Sequence, residues 1–221
     1  MFSKKNLFGG LVFCLVVFLC SPASAAFMEI SDPGVSFTGM PASKVEDSGA
    51  GTAIVAAGFV PSINVSSTNF GMETGVPLEF EFTYTTALSG QVSFYMERST
   101  SGSSYSSFSS GFTDGFVYVR LNVAGDSGGT VEITNLTING TNLGTYASGT
   151  TDSFIYFSDN NSLFTDLTIT GEANFSAFDG GGVPKFEFAL APVPVPPSAL
   201  LLGSGLLGLG LLGWRRQKRQ L

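Results

Sequence analysis

The 221-residue chain is long enough for one domain with a real hydrophobic core, once the processing segments at its two ends are set aside. Six of its ten basic residues sit at those ends, so between Glu29 and Glu187 four basic residues face all seventeen acidic ones and the middle carries −13, against −7 for the whole chain. A surface that acidic repels phosphate backbones and excludes a nucleic-acid partner. The chain has no histidine, and its two cysteines, Cys14 and Cys20, both lie in the N-terminal segment. A Ser–His or Cys–His nucleophile and a disulfide staple are therefore excluded from the middle, along with the commonest metal ligand.

Residues 1–25 read as a secretory signal. Lys4 and Lys5 give a positive start, Leu7 to Leu19 an apolar run, and Ala23-Ser24-Ala25 the small-residue site that a signal peptidase needs. Cleavage is expected after Ala25. A retained membrane anchor is the alternative. Lipoprotein processing at Cys20 is disfavoured by the bulky Phe18 and Leu19 just before it.

The exported domain is expected over residues 26–190. Thr52 to Val60 is a nearly continuous apolar run, as in a strand covered on both faces. Leu78 to Thr85 alternates cleanly: Leu78, Phe80, Phe82 and Tyr84 point one way, Glu79, Glu81 and Thr83 the other. Gln91 to Glu97, Gly115 to Val123, Thr130 to Ile138, Ser153 to Phe157, Leu163 to Thr170 and Lys185 to Leu190 follow the same pattern. Turn chemistry separates them at Ser89-Gly90, Gly125 to Gly129, Asn139-Gly140, Ser158 to Asn161 and Asp179 to Gly182. No helical period is sustained. The pattern predicts an all-β fold, an antiparallel β-sandwich of jelly-roll or immunoglobulin-like form, with a barrel as second choice. The serine-rich stretch Ser99 to Ser110 is expected as a loop, and its rings Tyr105 and Phe108 are candidate glycan contacts.

No catalytic residue is expected. Glu79 and Glu81 are the nearest carboxylate pair that a glycosidase could use, and they read more simply as a solvated outer face. Asp159-Asn160-Asn161 with Asp166, and Asp126, are oxygen-rich enough to hold calcium, although no EF-hand spacing appears and ordinary turn residues would look the same. No other cofactor is expected. Asn64, Asn135, Asn139, Asn160 and Asn174 each begin an Asn-x-Ser/Thr sequon and are expected to be bare.

Residues 191–198 form a proline spacer through Pro192, Pro194, Pro196 and Pro197. Residues 199–214 are apolar, and as a helix they would reach roughly 24 Å, short against a hydrocarbon core of about 30 Å. The basic cluster Arg215, Arg216, Lys218 and Arg219, within residues 215–221, should stay cytoplasmic and leave the domain outside.

Val195-Pro196-Pro197-Ser198, the Leu/Gly run and the basic end, in that order, resemble the PEP-CTERM sorting signal of Gram-negative bacteria. Pro194-Val195-Pro196-Pro197 stands where the family has Pro-Glu-Pro, so the tail looks like a Val-Pro-x-Pro variant. The resemblance implies an exosortase-type processing enzyme as partner and a transient stay in the inner membrane. Release to the cell surface or the extracellular exopolysaccharide layer would follow. A plain single-pass anchor is the alternative. Val131 to Gly144 is weakly similar to choice-of-anchor domains, exported β-rich modules that bring no known catalytic residues. Together these features predict a non-enzymatic exported surface or matrix protein associated with extracellular polysaccharide. A carbohydrate-binding module and, less favoured, a secreted glycan-active enzyme are the alternatives.

Overall fold

The computed structural model describes residues 26–49, 52–63, 66–71, 75–88, 90–98, 102–112, 115–125, 129–147, 152–160, 162–176 and 184–192. The predicted signal peptide, the sorting motif Val195 to Ser198, the 199–214 segment and the basic tail lie outside these residues, as do Asn64, Asp126 and Asn161. No helix among the described residues is long and apolar enough to cross a membrane.

The described chain folds into β1 (Met28–Ile30), β2 (Pro41–Gly49), β3 (Thr52–Phe59), β4 (Ser66–Gly71), β5 (Leu78–Thr85), β6 (Gln91–Arg98) and β7 (Ser103–Ser109). Then come β8 (Tyr118–Ala124), β9 (Val131–Ile138), β10 (Thr141–Ala147), β11 (Ser153–Ser158), β12 (Asp166–Phe175) and β13 (Lys185–Ala191). One sheet has the order β1-β11-β8-β13-β2-β3-β4, the other β10-β9-β12-β5-β6-β7, and every pairing is antiparallel. The result is all-β and sandwich-like, as the alternating pattern requires: alternating strands such as β5, β6 and β9 have one apolar face, and the two sheets bury those faces against each other.

Phenylalanine fills the space between them. Phe80 and Phe82 of β5 meet Phe188 of β13 with ring centroids 5.5 and 5.9 Å apart, and Phe80 lies 5.1 Å from Phe186. Fully burying such a side chain contributes about 1.5–3 kcal/mol, which a domain without disulfides needs. A smaller cluster lies on the outer face of the seven-stranded sheet, where Phe37 and Ile63 cover Ala42, Ala189 and Ala191. There Arg120 is ion-paired with Glu187 and sits over the rings of Phe37 and Phe154, at 4.8 and 5.1 Å. Part of that face is thus covered by Phe37 of the N-terminal segment and Ile63 of the β3–β4 connection.

The sequence pattern misses β1, β2, β4 and β10 and needs correcting at other points. Ser103–Ser109 is edge strand β7 rather than loop, held in register against β6 from Gln91↔Ser109 to Glu97↔Ser103. Serine has little strand propensity, and pairing to a well-formed neighbour overrides it. The expected strand at Leu163 begins at Asp166 and runs on to Phe175: Gly171 leaves a gap in the inward apolar set Leu167, Ile169, Ala173 and Phe175, and the ladder to β5 continues through it. β13 extends to Ala191, one residue past the expected domain boundary.

Phe27 and Ala191, near the first and last of the described residues, lie at one end of the sandwich. The ring of Phe27 packs 5.6 Å from Phe164, Phe164 bridges to Phe116, and the adjoining Val117 amide donates to the Ala191 carbonyl at 3.0 Å. Tyr84, next to the last residue of β5, marks the same end through its 4.9 Å contact with Phe116.

Candidate functional site

The outer face of the six-stranded sheet carries the most distinctive surface. In β5 the inward set Leu78, Phe80, Phe82 and Tyr84 forces Glu79 and Glu81 outward, and both are exposed. In β6 the inward set Val92, Phe94 and Met96 turns Tyr95 and Glu97 to the same side. The register then builds two rows across the sheet. Thr134, Glu172, Glu79, Glu97 and Ser103 stand side by side, and next to them Thr137, Thr170, Glu81, Tyr95 and Tyr105.

A bulge shapes this face. β9 takes one extra residue between its pairings with Glu172 and Thr170, and Asn135 there adopts φ 53°. Asparagine tolerates the left-handed region because its short amide bonds locally. The bulge brings the Asn135 amide beside Glu172, to whose carboxylate it donates at 3.3 Å. The result is an open cleft of about 300 Å³ lined by Glu79, Phe80, Glu81, Tyr95, Asn135, Thr170, Gly171 and Glu172. Its lining contains no lysine or arginine. Tyr95 donates its hydroxyl to Glu97 at 2.7 Å, and this bond, with a smaller contribution from burial, holds the phenol above its ordinary pKa. Tyr105, directly across from Tyr95, is 54% exposed and adds an aromatic surface beside the cleft. Thr137 and Thr170 share a hydroxyl–hydroxyl bond of 2.6 Å. Carboxylates, amide, hydroxyls and phenol rings together form a surface suited to hydroxyl donors with apolar faces, which is the chemistry of a sugar ring.

The candidate residues from the sequence fare unevenly. Tyr105 stands on this face. Phe108 does not: it is 8% exposed and packs edge-on against Phe59 at 5.0 Å. Residues three apart on a strand point to opposite faces, so once Ser103–Ser109 is a strand the two rings cannot form one platform. Glu79 and Glu81 lie on the solvated face as expected, now with Glu172 as a third cleft carboxylate. For the calcium candidates, Asp166 accepts bonds from the Thr85 hydroxyl at 2.6 Å and the Thr165 hydroxyl at 3.2 Å. Among the described residues no group of three or more acidic side chains is arranged to hold a metal ion. Of the sequon asparagines, Asn139 caps the β9–β10 turn, accepting from the Thr168 amide at 2.8 Å, while Asn160 has φ 47°.

Glu172, Asn135 and Tyr95 were missed at the sequence level. Tyr95 was within reach, because the alternation of β6 assigns it to the polar side with Glu97. Glu172 and Asn135 were not, because only the long-range pairing of β12 with β5 and β9 brings them to the cleft.

Compared with known proteins, the chain matches no protein-family model, and a search of the curated proteins gives no match.

Proposed function

We propose that this is an exported, non-enzymatic cell-surface or matrix protein that an exosortase sorts through its C-terminal tail, and that the outer face of its six-stranded sheet holds extracellular polysaccharide. The observation that carries this reading is the relation between the chain ends and the cleft. The residues nearest both terminal signals, Phe27 and Ala191, gather at the Tyr84 end of the sandwich. Glu79 lies six residues back along β5, roughly 20 Å from that end at strand spacing. A domain tethered by its tail would therefore hold the cleft on its side face, with Glu79 clear of the tethered end and open to the surrounding matrix.

The finer fold assignment belongs with this proposal. β2-β13-β8-β11 in one sheet and β5-β12-β9-β10 in the other reproduce the two interleaved four-strand sets of a jelly roll. The β3–β4 and β6–β7 hairpins extend them, and β1 adds a short edge. This order favours the jelly-roll reading over the immunoglobulin-like one.

Peptide mapping of the protein from its producing bacterium, in membrane and extracellular fractions, tests the delivery half. The surface form is expected to start at Ala26 and to end between Pro196 and Ser198, co-purifying with exopolysaccharide. A surface form that still carries Leu200 to Arg219 would make the tail a plain anchor. Shortening of the co-purified glycan on incubation would show an enzyme instead.

A further inference from the structure

We infer that the cleft selects uncharged glycan chains and rejects anionic ones; this inference rests on the proposal that the same face holds polysaccharide. Glu172, Glu79 and Glu97 stand directly opposite one another on three neighbouring strands, with Glu81 one pleat further along the middle strand. Like charges in such positions destabilise a sheet, and the cleft's lining supplies no cation to offset them. Of the described basic residues, Lys44, Arg120 and Lys185 are on the other sheet, the first two paired with Glu46 and Glu187, and Arg98 ends β6 beyond Glu97, outside the cleft's lining.

An ionised carboxylate only accepts hydrogen bonds, and sugar hydroxyls donate them. The resulting charge-assisted bonds are about twice as strong as neutral ones. A neutral pyranose can thus donate to Glu79, Glu81 and Glu172 while the Asn135 amide orients Glu172 from the side. Its apolar face has the rings of Tyr95 and Tyr105 to lie on. A uronate or sulfated chain meets the same carboxylates at close range with its own negative charge. That repulsion is screened only beyond a Debye length of about 8 Å in physiological salt. Selectivity by charge sign follows from the row of carboxylates, while the aromatic surface alone would accept both kinds of chain.

The test uses the mature protein as purified from the surface fraction of the producing bacterium. Its own exopolysaccharide is separated by anion exchange into neutral and acidic fractions, and each is cast into a native affinity gel. Gels are run with chelator and with calcium. The expected result is retardation by the neutral fraction at least about tenfold stronger than by the acidic one, in both conditions. In a Glu79→Gln/Glu172→Gln variant, whose isosteric changes lie on an exposed face, the gap should narrow by about threefold or more. Equal retardation by the two fractions would overturn the selectivity and leave the face intact as a glycan site. So would acidic-chain binding that appears only with calcium, because the carboxylates would then be bridging a cation. Retardation by neither fraction, or retardation unchanged by Tyr105→Ala, would instead overturn the assignment of this face.

Discussion

Glu79 stands between two other carboxylates, Glu172 on one neighbouring strand and Glu97 on the other. Directly opposed like charges cost a sheet a few tenths of a kcal/mol each. Glu79→Gln should therefore raise the urea midpoint by a small, salt-sensitive amount while weakening glycan retention. A variant less stable than the parent would mean that the row is not electrostatically strained. Gly90 is a different kind of constraint. It has φ +68°, and a Cβ there would fall 1.9 Å from the Phe112 carbonyl oxygen. Gly90→Ala is expected to cost roughly 3 kcal/mol or more in urea unfolding. Gly39→Ala shares the positive φ but meets open space, so it should cost only about 1 kcal/mol. Tyr146 contributes a pH dependence. Burial, reinforced by the charge of Glu29 and a 3.3 Å bond to it, pushes its pKa from 10.0 to about 12. The unfolded chain loses this proton first, so the contribution is complete below pH 10 and is lost as the pH rises toward about 12. Urea midpoints across that window should fall, and fall less steeply in Tyr146→Phe. Equal slopes would show that the phenol does not contribute.

At the scale of elements, β7 separates packing from recognition. Phe108→Ala removes a ring buried against Phe59 and should cost about 3 kcal/mol without changing glycan retention by the folded fraction. Tyr105→Ala should leave stability nearly unchanged and reduce retention. If both variants lost only stability, β7 would be a structural edge and nothing more. The same strand marks the limit of what sequence can show. β5 and β6 were legible because apolar and polar residues alternate strictly through Leu78 to Thr85 and Gln91 to Glu97. β7 was not, because its serines have no apolar face and only its ladder to β6 makes it a strand. β2, β4 and β10 escaped for similar reasons, being small, polar or interrupted by glycine. The cleft needed still more: Glu79 and Glu81 were visible as an outward pair, but Glu172 and Asn135 arrive through a bulge and a pairing between distant segments.

The molecule as a whole is asymmetric, both from end to end and from sheet to sheet. The sandwich gathers Phe27 and Ala191 at one end, one face of the seven-stranded sheet is partly covered by the N-terminal segment, and the opposite sheet leaves its carboxylate and tyrosine face open. The most direct test of this account is hydroxyl-radical footprinting of the purified mature protein with and without the neutral exopolysaccharide fraction. Phe154, 47% exposed on the seven-stranded sheet, provides the internal control. The account predicts that Tyr95 and Tyr105 become protected from oxidation while Phe154 reacts at an unchanged rate. Protection of Phe154 with Tyr95 and Tyr105 unaffected would move recognition to the other sheet and contradict it.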